Sequence, residues 1–196
     1  MERIDLHTHT LASDGSDAPA DVVRKAAALG LRAVAVTDHD TFAGLPEARA
    51  AGQRCGIEVA PGVELSTVWG GEEVHLLGYF MDTGNTALRA LMTRATDERN
   101  ARNETMVQRL HDAGYPITMA DLHAAFPGQT VLGRPHIAAL LVQRGCIASV
   151  PDGMRGLLGR GKEFYVPRYN VPLEDFIRAL RAAGGVPVVA HIFKFV

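Results

Sequence analysis

Apolar and polar residues alternate with two different periods along the first part of the chain. Residues 3–7 alternate as in a β-strand, which places His7 and His9 on one face. An apolar stripe with a helical period predicts a helix from Pro19 to Leu29. The run from Leu31 to Thr37 is almost wholly apolar, which is typical of a parallel strand buried on both faces.

The same alternation of strand and helix continues to about residue 84. A second helix is predicted over residues 44–55, and strand-like segments follow at residues 57–60 and 73–80. Strands and helices that alternate at this spacing favour βαβ units. The fold class predicted for residues 1–84 is therefore α/β, with a parallel sheet or barrel.

The pattern becomes helical between residues 85 and 160. Apolar residues spaced three and four apart predict a long helix that ends at Gly114. Thr118 and Asp121 match a capping box at the start of a short helix, and another helix is predicted over residues 135–144. We interpret residues 85–160 as an all-helical insert.

The α/β pattern returns in residues 161–196. A helix is predicted over residues 172–183, and residues 186–190 are expected to form a buried strand that leads directly to His191. We therefore assign residues 161–196 to the same barrel as residues 1–84.

Composition limits the classes of partner. Apolar residues make up 47% of the 196 residues and charged residues 21%, as in globular proteins with a core. The formal net charge of −2 predicts neither duplex DNA nor a membrane as a partner, so a nucleic-acid substrate would need a local basic pocket. No signal peptide or apolar span is recognised, and the isolated Cys55 and Cys146 are expected to fill the core of a cytoplasmic protein.

Histidines and carboxylates collect at the predicted strand ends and in the loops that follow them. Nitrogen and carboxylate oxygen ligands without thiolate suit Zn²⁺, Mn²⁺ or Fe²⁺. These ligands outnumber the needs of one four-coordinate ion, so we predict a cluster with shared carboxylates, as in hydrolytic sites that act on phosphoryl groups. The candidates are His7, His9, Asp14, His39, Glu64, His75 and His191.

Six motifs in this order resemble those of the polymerase and histidinol phosphatase (PHP) family. They are His7-Thr-His9 with Ser13-Asp14-Gly15, Thr37-Asp38-His39-Asp40, Gly62-Val63-Glu64-Leu65-Ser66, Val74-His75-Leu76-Leu77-Gly78, Gly133-Arg134-Pro135-His136 and Pro187-Val188-Val189-Ala190-His191. The resemblance implies a distorted (β/α)7 barrel with a site for up to three divalent ions. It is strongest to the small stand-alone phosphoesterases that carry a helical insert.

The resemblance also implies a role for each candidate. His7, His9 and Glu64 would hold one ion, and Glu64 would bridge to a second ion held by His75 and His191. Asp14 and His39 would hold a third. Arg134 and His136, on the insert, would contact the substrate phosphate.

The implied reaction is hydrolysis of a phosphate ester by a metal-bridging hydroxide, without a covalent enzyme intermediate. The substrates would be nucleoside 3′,5′-bisphosphates or the 5′ ends of short RNA. Amide hydrolysis remains an alternative because amidohydrolases also combine a barrel with an HxH motif, although no lysine lies at a suitable strand end. The oligomeric state is not predicted.

Two departures from the family pattern affect these expectations. His191 is followed by Ile192, where the family has proline. A late Asp-x-His element that completes the first and third metal positions in the family does not occur before residue 196. We therefore expect a shortened barrel with an open sheet edge. A weakly active or inactive metal-binding remnant is a further alternative.

Several other residues carry weaker expectations. Asp38 and Asp40 are expected to orient the ring of His39 rather than to bind metal. A loose basic patch is expected to form a solvated face; its members are Arg160, Lys162 and Arg168. Trp69 is expected either to stack on a base or to plug a hydrophobic gap.

Overall fold

The structure of the protein is a computed structural model that describes residues 3–192. Within this range, strands and helices alternate as far as the third strand, and helices dominate the middle of the chain. The strands are β1 (Arg3–Thr8), β2 (Leu31–Val36), β3 (Glu58–Trp69), β4 (Glu72–Tyr79), β5 (Val171–Pro172) and β6 (Val186–Val189). The helices are α1 (Pro19–Ala28), α2 (Leu45–Cys55), α3 (Thr86–Asp112), α4 (Met119–Ala125), α5 (Arg134–Gln143), α6 (Val150–Gly156) and α7 (Leu173–Ala182).

The sheet is mixed rather than parallel. Its strand order is β1-β2-β3-β4-β6, and β5 pairs with β3 outside this path. The first three strands are parallel, as predicted, but β4 is antiparallel to β3 and β6 is antiparallel to β4. The parallel arrangement expected for residues 1–84 therefore holds for β1 to β3 and was wrong for β4.

The reason is a tight hairpin between β3 and β4. Trp69 pairs with Glu72, so that only Gly70 and Gly71 lie between the strands. Both glycines have positive φ, at 58° and 83°, as a two-residue turn of the primed type requires. A Gly-Gly pair between two β-like segments is a hairpin signal, and it excludes the crossover helix that a parallel pair would need.

The sheet curls into a half-barrel. The hydroxyl group of Tyr79, at the end of β4, donates a hydrogen bond of 2.6 Å to the carbonyl oxygen of Leu6 in β1. Strands at the two sides of the sheet are therefore close at this end. Tyr79 belongs to a small cluster of buried residues that joins β2, β3, β4 and the end of β6: Ala35, Ala60, Leu77, Tyr79 and Ala190.

Helices cover the outer faces of the sheet and form further core regions. Helices α1 and α2 pack against β2 around Val23, and α7 packs against β3 and β4 through Phe176 and Leu180. Helices α3 to α6 share a separate core that includes Met106 and Ile137. The first turns of α3 also belong to the α7 core. The division of the chain at residues 85 and 160 stays a prediction, and residues 193–196 lie outside the described part.

Two burial predictions were wrong. The strand expected at residues 186–190 forms, but Val186, Val188 and Val189 are 51%, 43% and 44% exposed. Among the described residues β6 pairs with β4 alone, so one side of it remains open. Cys55 is exposed at the end of α2 rather than in the core.

Candidate metal centre

Glu64 lies in the middle of β3, where this strand meets the loop after β2. Its backbone N–H donates to the carbonyl of Asp38 at 3.2 Å, and its carbonyl accepts from the N–H of Asp40 at 3.0 Å. These bonds place His39 beside Glu64 in a short parallel bridge. The Glu64 side chain is fully buried, so its charge requires compensation from the groups around it.

Four imidazole rings surround the Glu64 carboxylate. The Nε2 atoms of His7 and His9 each lie 3.0 Å from Oε2. The Nδ1 atom of His75 and the Nε2 atom of His191 lie 2.9 and 3.1 Å from Oε1. Burial raises the pKa of Glu64, but its hydrogen bonds with the histidines outweigh this effect and hold that pKa far below its usual value. Glu64 is therefore an anion at neutral pH.

A second carboxylate, that of Asp14, lies on the other side of His9 and His39. Its Oδ1 is 3.5 Å from Nδ1 of His9, and its Oδ2 is 3.7 Å from Nε2 of His39. The His39 ring reaches back to Glu64, with Nδ1 at 3.6 Å from Oε2. Burial lowers the pKa of His39 to about 4, which keeps the ring in the neutral form that binds metals.

The structure brings together all seven candidates proposed from the sequence. Three groups among them offer ligand atoms within 4.8 Å of one another: His7–His9–Glu64, His9–Asp14–His39 and His39–Glu64–His75. His39 Nδ1 is buried and has no hydrogen-bond partner within residues 3–192. A donor set of imidazoles and carboxylates around an unsatisfied nitrogen fits divalent transition cations.

Asp38 has a different role from the one expected. It was predicted to orient His39, but its carboxylate instead accepts three hydrogen bonds of 2.7 Å, from the Thr10 N–H, the Thr10 hydroxyl and the Ser13 hydroxyl. These bonds hold the loop that carries Asp14. In the same loop, a Cβ atom at Gly15 would lie 2.3 Å from the carbonyl oxygen of His9, so this close approach requires glycine.

Asp40 was also expected to orient the His39 ring, but it contacts two arginines instead. Its carboxylate, fully buried, contacts Nε and Nη2 of Arg99 at 2.7 and 2.5 Å and Nη1 of Arg168 at 3.4 Å. Asp40 adopts φ of 54°, a left-handed conformation that is rare outside glycine. It therefore links the loop after β2 to helix α3 and to the segment before β5. The Arg168 side chain is only 7% exposed, so its assignment to a solvated basic face was wrong.

Glu73 was not among the residues proposed from the sequence, yet it contacts the ring nitrogen of His75 that does not face Glu64. Its Oε1 lies 3.0 Å from Nε2 of His75. This hydrogen bond lowers the pKa of Glu73 to about 2. Burial lowers the pKa of His75, but the two carboxylates outweigh it and raise that pKa to about 9. The signal was present, because Glu73 and His75 are two residues apart and share one face of β4.

A cavity of about 200 Å³ opens beside the histidine cluster; we call it the arginine cavity. Asp14, His39 and His75 are among the residues that line it. Four arginines line it as well: Arg99, Arg102, Arg134 and Arg168. Burial and the neighbouring guanidinium groups together lower the pKa of Arg102 to about 9. Four positively charged groups this close together favour an anionic ligand.

Both residues expected to contact phosphate line this cavity, in different ways. Arg134 is the first residue of α5, and its Nη2 lies 4.0 Å from Glu73 Oε1. His136 is buried, and its Nδ1 accepts a hydrogen bond of 2.9 Å from the N–H of Gly133. Burial lowers the pKa of His136. Its Nδ1 therefore supports the start of α5.

The remaining expectations concern surface residues. Arg160 and Lys162 are exposed, in agreement with a solvated face. Trp69 is 64% exposed at the end of β3, so it plugs no gap within the described residues. None of the helices in residues 3–192 is both long enough and apolar enough to cross a membrane.

Side chains from β1, β3 and β4 and from the segments after β1, β2 and β6 thus meet on a curled α/β sheet, beside a cavity that favours anions. This is the arrangement of metal-dependent hydrolases built on α/β barrels. The sequence profile of the PHP domain matches residues 5–147. The chain therefore belongs to the PHP domain family, and the resemblance noted in its motifs is confirmed.

Similar proteins include enzymes that act on RNA and on nucleotides. The 5′-3′ exoribonuclease Rnm of Salmonella typhimurium is 37% identical over 189 residues, which cover 95% of this chain and 64% of that protein. The 3′,5′-nucleoside bisphosphate phosphatase of Chromobacterium violaceum is 36% identical over 191 residues, covering 97% of this chain and 67% of that protein. The chain thus spans about two thirds of the length of these relatives.

A solved structure supports the fold assignment. A Bifidobacterium adolescentis protein described as a metal-dependent phosphoesterase matches with a TM-score of 0.92 and 34% sequence identity. The match covers 97% of this chain and 67% of that one. The α/β class and the incomplete PHP barrel predicted from the sequence are therefore confirmed.

Proposed function

We propose that the protein is a metal-dependent phosphoesterase that hydrolyses nucleoside 3′,5′-bisphosphates or the 5′ ends of short RNA. The observation that supports this most is the arginine cavity, which adjoins a cluster of imidazoles and carboxylates. The imidazoles and carboxylates suit divalent cations, and the arginines suit the negative charge of phosphate. The names of the relatives from Salmonella and Chromobacterium agree with both substrate classes.

The proposed centre holds up to three ions of Mn²⁺, Zn²⁺ or Fe²⁺. His7, His9 and Glu64 would hold one, and Glu64 would bridge to a second held by His75 and His191. Asp14 and His39 would hold the third, and the His9 ring lies within reach of that position as well. When bound, such ions supply Lewis acidity and an activated water.

The chain's own residues would bind and orient the substrate. Arg134 and the other three arginines of the cavity would hold phosphate oxygens through their planar, forked donors. Asp40 fixes two of these groups, those of Arg99 and Arg168, before any substrate arrives. Such preorganisation lowers the entropic cost of orienting the substrate.

Release of inorganic phosphate from adenosine 3′,5′-bisphosphate with Mn²⁺ tests this proposal. We expect Arg134→Met to raise the KM at least about tenfold, because a guanidinium–phosphate contact is lost. Arg155→Met, which removes an exposed arginine on α6, is the matched control and is expected to leave KM unchanged. Wild-type protein that binds metal but releases no phosphate, and trims no 5′-phosphorylated RNA, would contradict the proposal.

The two alternative functions that the sequence left open predict different experimental results. A metal-binding remnant would take up metal without turnover, and an amidohydrolase would cleave amides in preference to phosphate esters. Metal content per chain, measured together with both activities, separates the three. The cytoplasmic location stays a prediction.

A further inference from the structure

A groove adjoins the arginine cavity; we call it the tyrosine groove. It has a volume of about 600 Å³ and is lined in part by Tyr165, Tyr169 and Asn170. Its wall shares Glu73, Arg134 and Arg168 with the arginine cavity. A ligand whose phosphate lies among the arginines can therefore extend directly into this groove.

The two tyrosines offer flat surfaces next to guanidinium groups. The Cζ atom of Arg94 lies 4.0 Å from the centre of the Tyr169 ring, so one face of this ring is held by a cation–π contact. Tyr169 remains 37% exposed. The Cζ atom of Arg134 lies 5.7 Å from the centre of the Tyr165 ring. Aromatic rings and guanidinium planes are the side chains on which unpaired bases stack.

Asn170 lines the same groove and carries a hydrogen-bond acceptor without a partner among the described residues. Its amide nitrogen donates to Oε2 of Glu73 at 3.4 Å, and this contact fixes which end of the amide faces the carboxylate. Its Oδ1 is buried and has no hydrogen-bond partner within residues 3–192. A buried acceptor without a partner is unfavourable, and the exocyclic amine of a base would satisfy it.

From these observations we infer that the tyrosine groove binds the nucleobase of the nucleotide whose 5′-phosphate lies in the arginine cavity. Three features carry the inference: lining residues shared with the cavity, stacking surfaces beside positive charge, and an unsatisfied acceptor. The inference rests on the proposed function, because it requires a nucleotide as the substrate. It adds that the base itself contributes to recognition and that bases with an exocyclic amine are preferred.

Binding of adenosine 5′-monophosphate and of ribose 5-phosphate, measured by calorimetry with Mn²⁺ present, tests the inference. The two ligands carry the same phosphate and differ by the base. We expect the nucleotide to bind at least about tenfold more tightly, because stacking on aromatic side chains has an effect of this size. Inosine 5′-monophosphate, which lacks the exocyclic amine, should bind about three to ten times more weakly than the adenosine nucleotide.

Variants of the groove separate stacking from a structural effect. Tyr169→Leu should weaken binding of the adenosine nucleotide about tenfold and leave that of ribose 5-phosphate unchanged, whereas Tyr169→Phe should retain both affinities. Asn170→Leu should abolish the difference between the adenosine and inosine nucleotides. A Tyr169→Leu protein that binds both phosphates more weakly by the same factor would indicate a structural role and overturn the inference.

The wild-type result distinguishes this inference from the proposed function. Equal affinity for adenosine 5′-monophosphate and ribose 5-phosphate would overturn the role of the groove and leave the arginine cavity intact. Failure of both ligands to bind would contradict the arginine cavity, and with it both the proposed function and the present inference.

Discussion

At the scale of single residues, more imidazole rings contact the Glu64 carboxylate than one metal ion would need as ligands. Four histidines lie within 3.1 Å of its two oxygens. In the proposed centre Glu64 would contact two ions at once. Removal of the Glu64 charge should therefore weaken binding at both metal positions rather than at one.

We expect Glu64→Gln to lower the affinity for Mn²⁺ at least about 100-fold, because even the outer partners of metal ligands contribute tenfold to 100-fold. Metal content after dialysis, measured by atomic emission, provides the test. Glu58→Gln, on the exposed start of the same strand, is the matched control. An unchanged metal content in Glu64→Gln would refute the bridging role.

Asp38 offers a second prediction at this scale. Asp38→Asn should lower the free energy of unfolding by about 2–4 kcal/mol, since an amide replaces a buried anion that accepts three short hydrogen bonds. Urea denaturation measures this loss. Asp17→Asn makes the same change at an exposed ion pair with Lys25 and should cost less than about 1 kcal/mol. Similar losses in the two variants would argue against the role of Asp38 in the loop.

The ligand candidates could be predicted from the sequence because each lies in a local motif. Arg134 was found in the same way, but Arg99 and Arg102 could not be, because Arg99 is 59 residues from its partner Asp40. A different signal was available. Arg99 and Arg102 occupy positions in the same stripe of α3 as the buried Met92 and Met106. Two arginines in a buried stripe indicate charges that face a functional cavity.

At the scale of elements, the hairpin between β3 and β4 aligns Glu64 with His75. The two strands pair over eight residues, and Glu64 and His75 lie two positions apart in their register. A change in the turn would shift this register and separate the two side chains.

Gly71→Val should destabilise the protein by about 1–2 kcal/mol, because a β-branched residue is strained at a φ of 83°. Thermal denaturation should show the lower melting temperature. Gly70→Asn is the matched control, since asparagine tolerates the left-handed region. If Gly71→Val melted no earlier than Gly70→Asn, strain at the φ of Gly71 would not limit the stability of the hairpin.

Helices were predicted more accurately than the sheet. Proline at the start of α1 and the Thr118–Asp121 capping box of α4 mark boundaries through local contacts, and both are present in the structure. Strand direction depends on the connection rather than on the strand's own residues. The alternating pattern of β4 therefore carried no information on direction, whereas Gly70 and Gly71 did.

At the scale of the whole molecule, both outer strands of the sheet expose apolar side chains. Ile4 of β1 is 56% exposed, and the valines of β6 are similarly open. Open strands with apolar side chains are sites of association between chains. We expect the chain of 196 residues to associate as its concentration increases.

The double variant Ile4→Lys with Val188→Lys should reduce this association, which analytical ultracentrifugation over a range of concentrations would measure. Charged side chains on an open strand oppose pairing with another chain. Leu29→Lys alters an exposed apolar residue away from both strands and should leave association unchanged. A wild-type chain that remains monomeric at all concentrations would contradict the prediction.

The curled half-barrel was predictable as a class from the order of its motifs, but the exposure of β6 was not. An apolar run such as Val186 to Ala190 indicates that a strand can be buried on both faces. Whether it is buried depends on which other elements reach it, and no local pattern encodes that.

The histidine cluster also has a meaning for the order of folding. His7 and Glu64 are 57 residues apart in the chain, and His191 and Glu64 are 127 residues apart. Closing loops of this length has a large entropic cost, whereas the β3–β4 pair forms across a two-residue turn. The hairpin should therefore form early in folding, and the imidazoles should reach Glu64 only when the sheet is nearly complete. Affinity for metal would then report the last stage of folding.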